Sequence, residues 1–200
     1  MNVNLEEVDR IKQSINGCKL CEGFRTKGIC IDQKEIGLNY IYHNQTPINI
    51  LFVAESPSQP GNGFFYDQSF QNSVFRDRFF GYINESGLGP VYSLTDFNNK
   101  GYYLADAINC RWDKNKQSIS KRVAKTCAAY LADQINLFRP RFIVFMGEIA
   151  SSTLKRIEVF EAIRKNQSLE GIVEMSFILT TSKETKQERI GKLKKLAKRL

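Results

Sequence analysis

Ile48-Asn49-Ile50-Leu51-Phe52-Val53-Ala54-Glu55-Ser56-Pro57-Ser58-Gln59-Pro60-Gly61-Asn62-Gly63-Phe64-Phe65-Tyr66 decides how the chain is read. An apolar run of β-branched and aromatic residues, too short for a helix, ends in a carboxylate and breaks on two prolines and two glycines. That pattern predicts a buried strand feeding a loop. In open α/β sheets the loops beyond the carboxyl ends of strands are where ligands bind. The stretch therefore reads as a ligand loop, with Glu55 at the strand tip and Phe64 or Phe65 available to stack on a flat ligand.

Outward from this strand, helical and extended patterns alternate. On the N-terminal side, Leu5, Val8, Ile11 and Ile15 recur at helical spacing, Asn4 and Glu7 have the pattern of a capping box, and Gly17 stops the helix. Residues 22–47 are polar and irregular and read as a long loop with at most a short hairpin. On the C-terminal side, Val74, Phe75, Phe79, Ile83 and Leu88 space out as a helix, and 102–110 read as a second strand. A helix over about 118–138 follows, with Val123, Cys127, Leu131, Ile135 and Phe138 on one face. Phe142–Met146 is a third strand, 149–163 a helix, 175–180 a fourth strand, and the chain closes on a basic helix. The fold class expected is α/β: a three-layer α/β/α domain over residues 1–200 around a mostly parallel four-stranded sheet.

Composition limits the partners. Of 200 residues no apolar run approaches the roughly 20 needed to span a bilayer, so no membrane partner is expected. The first fifteen residues are charged and amphipathic, unlike a secretory leader, which makes a cytoplasmic monomer the expectation. Net charge is +8, and eight Lys or Arg against two Glu lie between Lys183 and Leu200. Most of the excess therefore sits on the terminal helix and points to a polyanion, nucleic acid first. There Ile190, Leu193, Leu196, Ala197 and Leu200 are expected to dock inward, leaving Lys186, Arg189, Lys192 and Lys195 to contact DNA phosphates.

Five cysteines in a chain read as cytoplasmic are metal ligands or free thiols before they are disulfides. Cys18 and Cys21 form a C-x-x-C pair past the first helix, Cys110 closes a strand, and Cys127 lies on the inner face of the long helix. A set of four cysteines suits either an iron–sulfur cluster or structural zinc.

C-x-x-C after an N-terminal helix, a strand ending A-E-S-P, a strand ending N-C-R, a later helical cysteine and R-P-R-F-I-V-F-M-G-E-x-A stand in one order along the chain. This ordered set resembles the iron–sulfur class of the uracil-DNA glycosylase superfamily. The resemblance implies a DNA glycosylase that hydrolyses the N-glycosidic bond of a flipped base and leaves an abasic site. It implies a [4Fe–4S] cluster on Cys18, Cys21, Cys110 and Cys127, with Cys30 outside it and zinc as the alternative. Glu55 resembles the carboxylate that orients water, Phe64 or Phe65 the stacking ring, and the backbone from Ser56 to Gln59 the contact to the pyrimidine O2.

Two positions depart from the family pattern. Where the family reads uracil with an asparagine, four residues before the third cysteine, this chain has Asp106. An ionised Asp offers acceptors only, which suits the exocyclic N4–H₂ of cytosine and repels the O4 of uracil. Asp106 thus implies a cytosine marked at C5, such as the hydroxymethyl or glucosyl cytosines of phage DNA, with the side-chain-poor loop Gly61-Asn62-Gly63 leaving room for the mark. This is similar to antiphage members of the superfamily; uracil excision in repair is the alternative. The second departure is the histidine that opens the family's second motif, whose place is taken by Thr180-Thr181-Ser182-Lys183-Glu184. Ser182 or Lys183 is the substitute donor expected there, since the only histidine, His43, lies far away in sequence. A DNA-binding member without catalysis is the remaining reading.

Overall fold

The computed structural model describes residues 4–31, 38, 47–57, 64–69, 73–113, 121–178 and 184–200. The glycine loop 58–63, His43, and the second-motif residues Ser182 and Lys183 lie outside the described residues.

The strand predicted at Ile48 forms as β2 (Ile50–Ala54), counting from a two-residue β1 (Cys30–Ile31), and every residue of β2 is buried. It lies inside a four-stranded sheet of order β3-β2-β5-β6, with β3 at Tyr102–Asp106, β5 at Phe142–Met146 and β6 at Gly171–Met175. All three pairings are parallel. Apolar residues at successive positions of β2 and β5 are what a strand covered on both faces requires.

Helices supply that cover. On one face α1 (Leu5–Asn16), α5 (Lys121–Phe138) and α7 (Ile157–Lys165) pack together, and Tyr103 of β3 meets Phe138 of α5 with ring centroids 4.6 Å apart. On the other, α3 (Val74–Glu85) and α8 (Lys186–Ala197) pack together. There Phe52 of β2 meets Phe79 of α3 edge-on at 4.9 Å and Phe97 of α4 (Leu94–Asn99) at 6.0 Å. The three-layer α/β/α fold is therefore present. Among the described residues no helix is long and apolar enough to cross a membrane.

Local chemistry accounts for the boundaries. Asn4 caps α1 by accepting from the amides of Glu6 and Glu7, while Glu7 pairs with Arg10 at 2.6 Å. The expected helix 149–163 is broken into α6 (Glu148–Ser152), one 3-10 turn (Thr153–Lys155) and α7. The Ser152 and Thr153 hydroxyls donate to the carbonyls of Ile149 and Ala150 at 2.7 and 2.6 Å, which competes with a continuous ladder. The fourth strand lies at 171–175 rather than 175–180. It is the sheet edge, with Ile172 and Glu174 exposed, so it lacks the unbroken apolar run of a central strand. The apolar residues just after it do other work: Phe177 stacks on Phe75 at 5.5 Å and Ile178 enters the core.

Candidate active site

The sheet register brings two acids to neighbouring strand tips. Ala54 is the parallel partner of Asp106, the Ala107 amide donates to the Ala54 carbonyl at 2.9 Å, and the Ile108 amide donates to the Glu55 carbonyl at 3.0 Å. Glu55, Ser56 and Asp106 are each half-buried. The second strand thus ends at Asp106, and residues 107–110 continue along the tip of β2 as an irregular segment.

An aromatic wall stands beside Asp106. The Tyr66 hydroxyl accepts from the Leu104 amide at 2.7 Å and donates to the Leu104 carbonyl at 3.1 Å, closing the outer edge of β3. The Tyr66 ring stacks on Tyr103 at 5.9 Å and meets Phe64 at 5.8 Å. Burial lifts both tyrosine hydroxyls well above their ordinary range, and the nearby Asp106 carboxylate adds to the rise in each. Both phenols therefore remain protonated donors at neutral pH. Sequence reasoning passed over Tyr66 and Tyr103; their only signal is aromatic type next to the loop and inside the strand.

The two phenylalanines separate. Phe65 is ringed at 4.8–6.0 Å by Tyr66, Phe75, Phe79, Phe80 and Phe97, which makes it a core side chain and corrects its candidacy as a stacking surface. Phe64, also buried, lies against Tyr66 with ring centroids 5.8 Å apart.

At the other two tips Gly147 ends β5 with φ 97° and donates its amide to the Met175 carbonyl at 2.8 Å. A side chain there would press on Cβ of Phe177 at 3.2 Å, so glycine answers both the left-handed backbone and the close approach. Glu184, the first described residue after 179–183, accepts from the Ser176 amide and stands 2.7 Å from Lys192 Nζ. A cleft of about 860 Å³ runs from these tips to α8, lined among others by Glu148, Glu174, Glu188 and Lys195.

The terminal helix departs from its expected face. Arg189 is buried, not exposed: it donates to the carbonyls of Phe177 and Glu184, both at 2.9 Å, and of Thr185 at 3.3 Å, and lies 5.7 Å from the Tyr82 ring. A cation surrounded by carbonyls has no face left for a phosphate. Lys186 is exposed but paired with Glu85 at 2.6 Å, and Lys192 is held by Glu184 and the Glu174 carbonyl. Lys194, Lys195 and Lys198 are exposed. The inward set holds for Ile190, Leu193 and Leu196, whereas Leu200 is exposed.

All five cysteines are buried and none is in a disulfide. Cys21, Cys30, Cys110 and Cys127 gather in a small second core with Ile29, Ile108, Trp112, Val123 and Ala124. The thiols of Cys21, Cys30 and Cys110 lie within hydrogen-bonding reach of one another, and Cys127 is near enough to Cys110, Cys18 and Cys30 to feel their charge. Hydrogen bonds from Cys110 and Cys21, aided by Arg25, bring the Cys30 thiol down to about 3. The same contacts, with burial, drive Cys21 upward, and burial lifts Cys127 to about 12. Cys30 arrives there through an antiparallel ladder of β1 with β4 (Arg111–Trp112), Cys30 pairing with Trp112. So short a pairing across some eighty positions leaves no local trace in the sequence.

The donor set suits a thiophilic group: soft ligands in an apolar pocket, with two buried N–H donors beside them. Those donors are Arg25 Nε and Asn109 Nδ2, which have no hydrogen-bond partner among the described residues. As the side chains stand, no group of three or more His, Cys, Asp or Glu among the described residues is arranged to hold an ion.

A parallel sheet with two acids and a ring wall at neighbouring strand tips, covered by helices on both faces, defines a three-layer α/β/α protein. The chain belongs to the uracil DNA glycosylase superfamily, whose sequence model matches residues 42–194. That span contains both acids, Cys110 and Cys127, and leaves Cys18, Cys21 and Cys30 outside it. The family acts on DNA as glycosylases. No curated protein matches the chain.

Proposed function

We propose that this chain excises a flipped, C5-modified cytosine from DNA. The observation that carries the reading is the register of β2 with β3, which supports a role for Glu55 and Asp106 on one base beside Phe64, Tyr66 and Tyr103. In the reaction, water adds its oxygen to C1′, the glycosidic bond breaks with its electron pair going to the base, and the water's proton ends on the released base. Glu55 orients the water and Phe64 stacks on the base. The ionised Asp106 accepts from N4–H₂, a bond the O4 of uracil cannot make. The Ser56 amide faces O2, and Ser182 or Lys183 supplies the donor for charge building on the leaving base.

DNA is the partner, and the chain acts as a cytoplasmic monomer, in defence against phage with modified DNA. The soft donor set suits a [4Fe–4S] cluster on Cys18, Cys21, Cys110 and Cys127, with zinc as the less suited occupant. When bound, such a group ties the N-terminal segment, the tip of β3 and α5 to one point.

Duplexes carrying uracil, cytosine, hydroxymethylcytosine or glucosylated hydroxymethylcytosine, assayed for alkali-labile abasic sites, test the reading. Abasic product from a modified cytosine, lost in Glu55→Gln and moved toward uracil in Asp106→Asn, supports it. Cleavage of uracil DNA that survives Asp106→Ala overturns the assigned reader. Tight DNA binding without product on any substrate favours a non-catalytic member, for which the second motif's missing histidine already argues.

A further inference from the structure

We propose that the open edge of β6, with the groove between it and α8, binds an extended acidic segment of a partner protein that adds to the sheet as a fifth strand. The inference stands apart from the proposed excision, because β2 and β5 separate β6 from the strand of Asp106, a distance of about 14 Å at the usual strand spacing. The backbone parity of β6 is fixed at its two ends. The Gly171 amide donates to the Arg141 carbonyl at 3.4 Å, and the Met175 carbonyl accepts from the Gly147 amide at 2.8 Å. Backbone groups alternate in direction along a strand, so 171, 173 and 175 face β5 while Ile172 and Glu174 turn theirs outward. No strand among the described residues covers that side.

Beside the edge lies a groove of about 300 Å³ with an apolar floor of Phe142, Val173 and Leu196. Ile172 borders it and is 41% exposed. The rim is cationic: Lys192, Lys195 and Arg199 stand against the one lining carboxylate, Glu174. Lys195 also borders the cleft that runs to the strand tips. Two of these cations sit on the edge itself. Lys192 Nζ donates to the Glu174 carbonyl at 2.7 Å, and Arg199 Nη2 donates to the Glu170 carbonyl at 2.6 Å. A Cβ at Gly171 would stand 2.9 Å from Arg199 Nη1, so glycine keeps the path of that side chain clear. Cations on an edge guard it against strands of the wrong kind. A second copy of this chain, with its net charge of +8, would bring the same cations to the same edge, where like charges repel. An acidic strand reverses the sign of that term: its carboxylates meet the rim, its apolar side chains cover Ile172 and the floor, and its backbone pairs with the outward groups of Ile172 and Glu174. A phosphate backbone matches the rim but has nothing to place on the apolar floor.

The full chain is titrated with a labelled peptide that alternates aspartate with leucine, binding is read by fluorescence anisotropy, and exchange of the Ile172 and Glu174 amides is followed by NMR with and without the peptide. Binding with slowed exchange at both amides is expected. Ile172→Glu, an exposed position whose change leaves the core intact, should bind about tenfold more weakly, having lost an apolar contact and gained a like charge. Methylating alternate peptide nitrogens needs no change in the protein: one set should abolish binding and the other should not, because only every second amide of an added strand faces the edge. Absence of binding, wild-type affinity in Ile172→Glu, unchanged exchange at the two amides, or two methylated sets that behave alike overturns the proposal. Slowed exchange caused by a short DNA duplex and not by the peptide overturns the protein partner and assigns the edge to nucleic acid.

Discussion

Replacing Arg189 by methionine separates two roles that the sequence alone confuses. As a phosphate contact, its loss would leave the fold intact and weaken DNA binding. As a buried tie, it joins Phe177, before the 179–183 segment, to Glu184, after it. Hydrogen bonds from a charged donor contribute about 1.5–3 kcal/mol each by mutation, and two at 2.9 Å are lost when the guanidinium goes. The Tyr82 face adds about 0.5–1 kcal/mol. Because the bonds share one side chain they are not additive, and a net loss of about 3 kcal/mol is expected. In a domain of this size that lowers the melting temperature by about 6–12 °C.

Urea unfolding of Arg189→Met and Arg189→Lys, with DNA binding measured across a salt series, reads both roles. Lysine keeps the charge but gathers its donors on one nitrogen and lacks the guanidinium's fixed fork, so it should recover little of the lost stability. The logarithmic salt slope should stay at its wild-type value in both variants, since no phosphate contact has gone. A methionine variant of wild-type stability whose slope falls by about one unit would refute the reasoning and restore Arg189 to the DNA face.

The exposed counterpart is Lys195, whose change to Ala should leave urea stability within about 0.5 kcal/mol of wild type and lower the salt slope by up to about one unit. Gly101 has φ 70°, and a methyl there would sit 2.3 Å from the Pro47 carbonyl oxygen, so Gly101→Ala should cost more than the about 1–2 kcal/mol of left-handed strain, read by the same titration. Burial pushes the Glu184 carboxyl up, but Lys192 and the Ser176 amide outweigh it and hold the group below 4.5. A lowered carboxyl contributes stability above the unfolded value and loses it as pH falls through the folded one. The stability gap between wild type and Glu184→Gln should therefore be full at neutral pH and close below about 4.5, and a gap independent of pH contradicts the ion pair.

The range of each interaction decides how much of it is legible in the sequence. The runs at 50–54 and 142–146 declare central strands because burial on both faces demands unbroken apolar sequence, and the α5 face from Val123 to Phe138 declares itself by period. β6 was misplaced because an edge strand is half solvated and reads as a polar stretch. The helix α4 went unread, being six residues closed by a Ser93–Asp96 capping box with too few turns to show a period. The placing of Glu55 and Asp106 at strand tips is legible because strand ends are local events, whereas how a ring packs is decided by partners far along the chain. Phe65 therefore looked like Phe64, and Arg189 like a surface cation.

The two candidate centres are joined mechanically. Asp106 ends β3 and Cys110 lies four residues on, and the segment between them is bonded to the tip of β2 through the Ala107 and Ile108 amides, the latter on the Glu55 carbonyl. Backbone hydrogen bonds thus tie the segment that carries Cys110 to the tip of the strand that leads to Glu55. On the far side Tyr66 clamps Leu104 through both backbone groups, so β3 has little freedom to slide along its edge. The position of Asp106 is then set from two directions, by the Tyr66 phenol on the strand and by the Ala107 and Ile108 amides bonded to the tip of β2. The same ties make Tyr66 as much a part of the candidate site as the acid it stands beside.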